Sequence, residues 1–170
     1  PADKDDKLGK KTLQSKAAEN AFKLTKESAG GSATLLARLK SLRREGADDD
    51  LWSLLRSLNP DSADLADPEK WWDFRRSEVR RALSADHPAT AYAIAKVHGP
   101  LDDETPSEAE FMAGWIALRF MKEPRRAEPH FEAARLIKGH ARDEARAAYW
   151  LGRTKREMGA RKEAEFYFRE

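Results

Sequence analysis

Residues Glu144–Glu170 read EARAAYWLGRTKREMGARKEAEFYFRE, and two spacings inside them organise the rest of the chain. Ala147, Ala148 and Gly152 are small residues set beside Trp150. Small side chains let two helices cross closely, while a neighbouring ring fills the groove of the next element. Farther along, Ala164 and Phe168 stand four residues apart on a second helix. The same two features lie upstream. MAGWIALRF (112–120) matches AAYWLGRTK (147–155), each placing a small residue next to tryptophan. Ala127 and Phe131 precede Ala164 and Phe168 by 37 positions; Ala91 and Ala95 lie 36 earlier still, and Leu51 and Leu55 another 40 before those.

A period of roughly 34–47 residues built from two helices is the signature of an α-solenoid of tetratricopeptide type. The expected fold is therefore all-α, a superhelix of about four tetratricopeptide-like hairpins over residues 32–170. No useful strand alternation competes with that reading. Leu35, Leu36, Leu39 and Leu42 form one helical stripe, interrupted at Gly46. The acidic run Asp48–Asp50 suits the start of the next helix, whose exposed N–H groups favour negative charge. WWDFRRSEVRRALSAD predicts a helix ending before His87-Pro88, and ATAYAIAKVHG a short one ending at Gly99. Thr105 or Ser107 is placed to cap the helix that follows. A terminal solenoid unit needs a polar cap, yet Phe166, Tyr167 and Phe168 occupy that place, so the last unit reads as truncated.

Composition shifts near Gly30-Gly31. Seven of the fourteen lysines and no arginine precede it, and all eighteen arginines follow. Residues 1–31 read as a lysine-rich, partly disordered head with one thin helix over Thr12–Ser28, carried by Leu13, Ala17, Ala21 and Leu24. The opening residue, Pro1, reads as a processed or partial chain. Net charge is +2, too near neutral to pull toward nucleic acid or anionic lipid. No apolar run reaches the roughly 18 residues needed for a membrane span. With no cysteine, disulfides, thiolate metal sites and cysteine nucleophiles are all excluded.

The remaining chemistry favours packing over catalysis. His87, His98, His130 and His140 are scattered, without the spacings that ligate a metal. No carboxylate pair stands out from the thirty acidic residues, and no phosphate-binding loop or cofactor motif is present. Arg43-Arg44, Arg75-Arg76, Arg80-Arg81 and Arg125-Arg126 are interleaved with acids, which fits seam-covering arginines better than a nucleic-acid groove. Arg76 shares the stripe of Trp72, Val79 and Leu83 and is expected to be partly buried against an acid. Trp52, Trp71, Trp72, Trp115 and Trp150 are read as core residues.

Five segments, taken in order, resemble the superhelical region of soluble lytic transglycosylases of the alphaproteobacterial type. They are DPEKWWDFRRSEVRRAL (67–83), AYAIAKVHG (91–99), AEFMAGWIALRFM (109–121), RAEPHFEAA (126–134) and ARAAYWLGRTKREMG (145–159). The resemblance runs from about Ser32 to Glu170 and omits the first 31 residues. It implies a periplasmic protein of the bacterial cell wall. The family cleaves the bond between N-acetylmuramic acid and N-acetylglucosamine in peptidoglycan, using one glutamate and no metal. That glutamate lies in a lysozyme-like domain after the superhelix, in a Glu-Ser pattern followed by Gly-Leu-Met-Gln and Ala-Tyr-Asn. Here the Glu-Ser pair is Glu27-Ser28, in the head, and neither later pattern occurs. No catalytic residue is carried over, and no metal or cofactor is expected. The resemblance implies an inactive scaffold that binds glycan strands weakly and contacts protein partners of the cell-wall machinery. A free-standing tetratricopeptide-like adaptor is the alternative.

Overall fold

The computed structural model describes residues 31–58, 68–98, 105–137 and 141–169. The expected helix over Thr12–Ser28 and His140 lie outside them. All regular structure among the described residues is helical: α1 (Gly31–Glu45), α2 (Asp48–Ser57), α3 (Pro68–Ser84), α4 (Pro88–Ala95), α5 (Thr105–Arg119), α6 (Pro124–Leu136), α7 (Ala141–Glu157) and α8 (Arg161–Tyr167). Contacts divide the chain into two units, Pro1–Asp67 with α1 and α2, and Pro68–Glu170 with α3 to α8. In the first, α1 packs on α2. In the second, packing passes chiefly between consecutive helices, α3 to α4 and onward to α8.

Four turns join the helices in pairs, and each contains one residue of positive φ. Gly46, Asp86, Lys122 and Gly159 have φ of 71°, 59°, 59° and 82°. At three of them the chain closes with the same two hydrogen bonds. Ala47, His87 and Ala160 donate to the carbonyls of Leu42, Ala82 and Lys155, while Gly46, Asp86 and Gly159 donate to Arg43, Leu83 and Arg156. That pattern satisfies two carbonyls a helix would otherwise leave open. Five residues after each left-handed residue, the amides of Leu51, Ala91, Ala127 and Ala164 close the first turn of the next helix at 3.0–3.1 Å. Those four side chains are all buried.

The left-handed positions lie 40, 36 and 37 residues apart, the same steps as the small-residue repeat. Periodicity in the sequence thus follows the spacing of these left-handed residues, three of them in turns closed by the same two hydrogen bonds. Only two of the turns use glycine. A side chain in the left-handed region costs about 1 kcal/mol or more. A Cβ on Gly159 would point into open space, so the preference for glycine there is purely conformational. Gly159→Ala is expected to lower stability by about 1 kcal/mol. Lys122→Gly is expected to raise it by about 0.5 kcal/mol, because glycine's extra freedom in the unfolded chain offsets part of the relief. Urea titration of both variants checks the opposite signs.

Helix boundaries differ from expectation at two points. α4 stops at Ala95, four residues before Gly99. Ser107 lies inside α5, where its buried hydroxyl donates to the Ala134 carbonyl at 3.1 Å, tying α5 to the end of α6 rather than capping its own helix.

Two joints in the second unit share one design. Gly114 on α5 lies under the ring of Phe131 on α6, so a Cβ there would meet Cε1 at 3.0 Å. Gly152 on α7 lies under Phe168, where the same distance would be 2.6 Å. Beside each glycine a second ring completes the pair: Phe111 with Phe131 and Tyr149 with Phe168, both at 5.7 Å between centroids. Phe131 is fully buried in a core with Ala117, Leu118, Ala127 and Leu151.

Candidate functional site

A groove of about 430 Å³ crosses α3, α5 and α7. Helical spacing builds it. Val79, Arg80 and Leu83 come from one face of α3, and Glu108, Phe111, Met112 and Trp115 from one face of α5 at steps of three and four. Arg146 of α7 closes the third side, its guanidinium 4.1 Å above the Phe111 ring and 3.1 Å from Asp143. Glu108 is already engaged. Arg76 Nη1 donates to both its oxygens at 3.0 and 3.1 Å, and Arg76 Nη2 donates to Asp73 at 2.8 Å. Those carboxylates raise the Arg76 pKa against a smaller effect of burial. Arg80 is exposed and makes no ion pair among the described residues. The groove therefore offers an apolar, aromatic floor beside two guanidinium groups, which suits a ligand with both an apolar face and a carboxylate.

A second cluster joins α4, α5 and α6. Glu110 accepts from His98 Nε2 at 3.1 Å and His130 Nδ1 at 2.6 Å, and His130 Nε2 meets the Tyr92 hydroxyl at 2.8 Å. Burial pushes the Glu110 carboxyl up, but the hydrogen bonds and charges of His130 and His98 outweigh it and hold the pKa at about 2. Tyr92 is pushed the other way, chiefly by burial against the opposing charge of Arg126, and stays a phenol. An ionised carboxylate cannot donate a proton at neutral pH, so Glu110 is unsuited to general-acid work. Its geometry is that of a clasp holding three helices. No group of three or more His, Asp or Glu among the described residues could hold a metal ion.

The structure separates residues that adjoin in sequence. Arg76 is partly buried against acids as expected, but Arg75 is the more buried, 1% exposed, with Nη1 3.4 Å from the Ile94 carbonyl. Burial lowers its pKa to about 10. Arg81 pairs with the buried Glu78 at 2.7 Å, and Arg126 pairs with Glu123 at 2.8 Å and covers the Tyr92 ring. The doublets of α3 and α6 thus serve separate contacts rather than one basic track. Trp52, Trp71 and Trp72 are core residues, as expected. Trp115 and Trp150 are both half-buried and packed against the core from its edge, and Trp115 also lines the groove, against Phe120 at 4.9 Å. Trp150 stacks on Phe131 at 6.2 Å.

The residues missed from sequence are Glu110, Tyr92 and the pairing of His98 with His130. Tyr92 and His130 fall six and eight residues after their left-handed turns, on second helices of successive pairs, so they are not equivalent positions and the repeat did not mark their contact. No helix among the described residues is long and apolar enough to cross a membrane. Compared with known proteins, the chain matches no family model, no curated protein and no solved structure.

Proposed function

We propose that this chain is the superhelical scaffold region of a peptidoglycan lytic transglycosylase, a solenoid of tetratricopeptide-like hairpins acting in the periplasm. In this reading it positions glycan strands, or partners in the cell-wall machinery, for a lysozyme-like catalytic domain. The carrying observation is the α3–α5–α7 groove, where the half-buried Trp115 ring offers apolar surface to a sugar and Arg80 and Arg146 offer charge to muramyl or stem-peptide carboxylates. Neighbour-to-neighbour packing and the shared turn geometry support the solenoid.

A second reading, a free-standing adaptor, is favoured by the same apolar floor, which suits a peptide segment bearing an acidic residue. Sedimentation with purified sacculi, paired with a muropeptide-release assay, separates the two. Weak binding without release of anhydro-muropeptides is expected, and Trp115→Ala or Arg80→Glu should lower binding about tenfold, near 1.4 kcal/mol. Release by this chain alone would remove the inactive-scaffold reading. Absent sacculus binding alongside capture of acidic peptides would favour the adaptor.

A further inference from the structure

Arg146 has its charge claimed within its own helix. Its Nη2 pairs with Asp143, one turn earlier on α7, at 3.1 Å, while its guanidinium lies 4.1 Å above the Phe111 ring of α5. A guanidinium grips a carboxylate with two parallel bonds along one of two edges, Nε with Nη2 or Nη1 with Nη2. Nε is buried and meets no acceptor, which shuts the first edge away from solvent. Both edges include Nη2, the atom that Asp143 already holds. A second carboxylate therefore gains the two-bond grip only where Asp143 lets go. The Phe111 ring stays beneath the guanidinium when it does, so Arg146 is still presented to the groove.

Charge complementarity makes the ligand of this groove an anion. The lining carries Arg80 and Arg146 against a single carboxylate, Glu108, which Arg76 holds through both oxygens. Residues 1–31 do not complement that excess, since their seven lysines outnumber their five acids. A free carboxylate competes poorly with Asp143, which is tethered one turn from its partner and acts at high effective concentration. A carboxylate on a rigid ring that also packs on Trp115 recovers the difference from that second contact.

We propose that Asp143 is an internal competitor for Arg146, and that the carboxylate of a ring-bearing sugar acid enters the groove by displacing it. The proposal rests on the reading of the groove as a carboxylate site, and it makes Asp143 the residue that sets the groove's selectivity.

The probe is N-acetylmuramic acid, titrated into the isotope-labelled whole chain and read by NMR from the Trp115 indole N–H. N-acetylglucosamine, the same ring without the lactyl carboxylate, is the control. Saturable shifts are expected with the acid and none with the control. Asp143→Asn should tighten binding about threefold, the order of one partly exposed ion pair, whereas an Asp143 that merely supports Arg146 would give weaker binding when replaced. The gain should vanish in Arg146→Gln and persist in Arg80→Gln, as a double-mutant cycle reads it. Circular dichroism checks helix content, and Asp143→Ser replaces Asp143→Asn if that variant loses it. Unchanged or weaker binding by the Asp143 variant, or a gain that survives Arg146→Gln, would overturn the exchange. A second probe, the blocked dipeptide acetyl-Glu-Leu-amide, separates the two readings. If it alone binds, with the same gain in Asp143→Asn, the exchange stands and the glycan reading falls. If neither probe gives a saturable shift with the wild-type chain or with Asp143→Asn, the exchange is overturned.

Discussion

Phe131→Ala is expected to destabilise the second unit by about 3–5 kcal/mol, the range for deleting a fully buried aromatic ring. Phe131 reaches both neighbours of α6. Its ring presses on Gly114 of α5 and stacks with Trp150 of α7. Gly114 cannot fill the space left behind, because it has no side chain, and the helix backbone around it is held by its own hydrogen bonds. A cavity is therefore the expected outcome rather than collapse. Phe168→Ala removes the same ring from the equivalent joint, but Phe168 is 40% exposed, and its loss should cost about 1 kcal/mol. Denaturant titrations of the two variants make the comparison. Similar losses would mean that the two joints are not energetically distinct and that α7 contributes little by covering Phe131.

Replacing Glu110 should have the largest effect on pH dependence. Its folded pKa is about 2, below the ordinary value of 4.5. A depressed carboxylate adds stability that is fully present above about pH 4.5 and is lost as pH falls toward 2. A shift of that size corresponds to about 3 kcal/mol, and with one fifth of the side chain exposed, about 2–3 kcal/mol is expected. The wild-type chain should accordingly lose about 2–3 kcal/mol more than Glu110→Gln between pH 5 and pH 2, since the other carboxylates titrate in both. Stability curves that fall in parallel would show that the clasp does not hold the carboxylate ionised. At neutral pH the same variant should be the less stable of the two, because the amide offers one acceptor oxygen to His98 and His130 in place of two, and no charge.

Much of the helical order was legible because it rests on local rules. Apolar stripes at helical spacing placed α1, α2, α3, α5 and α6, and the acidic start at Asp48 marked the N-terminus of α2. The break at Gly46 flagged one of the four left-handed turns. Asp86 and Lys122 did not, because neither residue type announces a positive φ.

Burial within one helix was harder to read. Arg75 and Arg76 are adjacent, so their side chains point about 100° apart around α3. The stripe of Trp72 and Val79 marked one seam, with Arg76 against Glu108. Trp71, Glu78 and Ala82 form a second seam on the same helix, and it is Arg75 that lies within it. A helix packed on two sides defeats a single-stripe reading.

The sequence by itself determined that the described chain is helical, that its features recur at steps of 36 to 40 residues, and which small residues admit close crossings. Each of these depends on neighbours within a few residues or on a repeat visible at fixed spacing. Only the tertiary structure brought Glu110 to His98, His130 and Tyr92, across separations of 12, 20 and, between Tyr92 and His130, 38 residues. It alone placed Trp115 and Arg146 on one groove, and covered Phe131 while leaving Phe168 open. Those outcomes depend on which face of each helix meets which neighbour, and side-chain packing between helices fixes that choice.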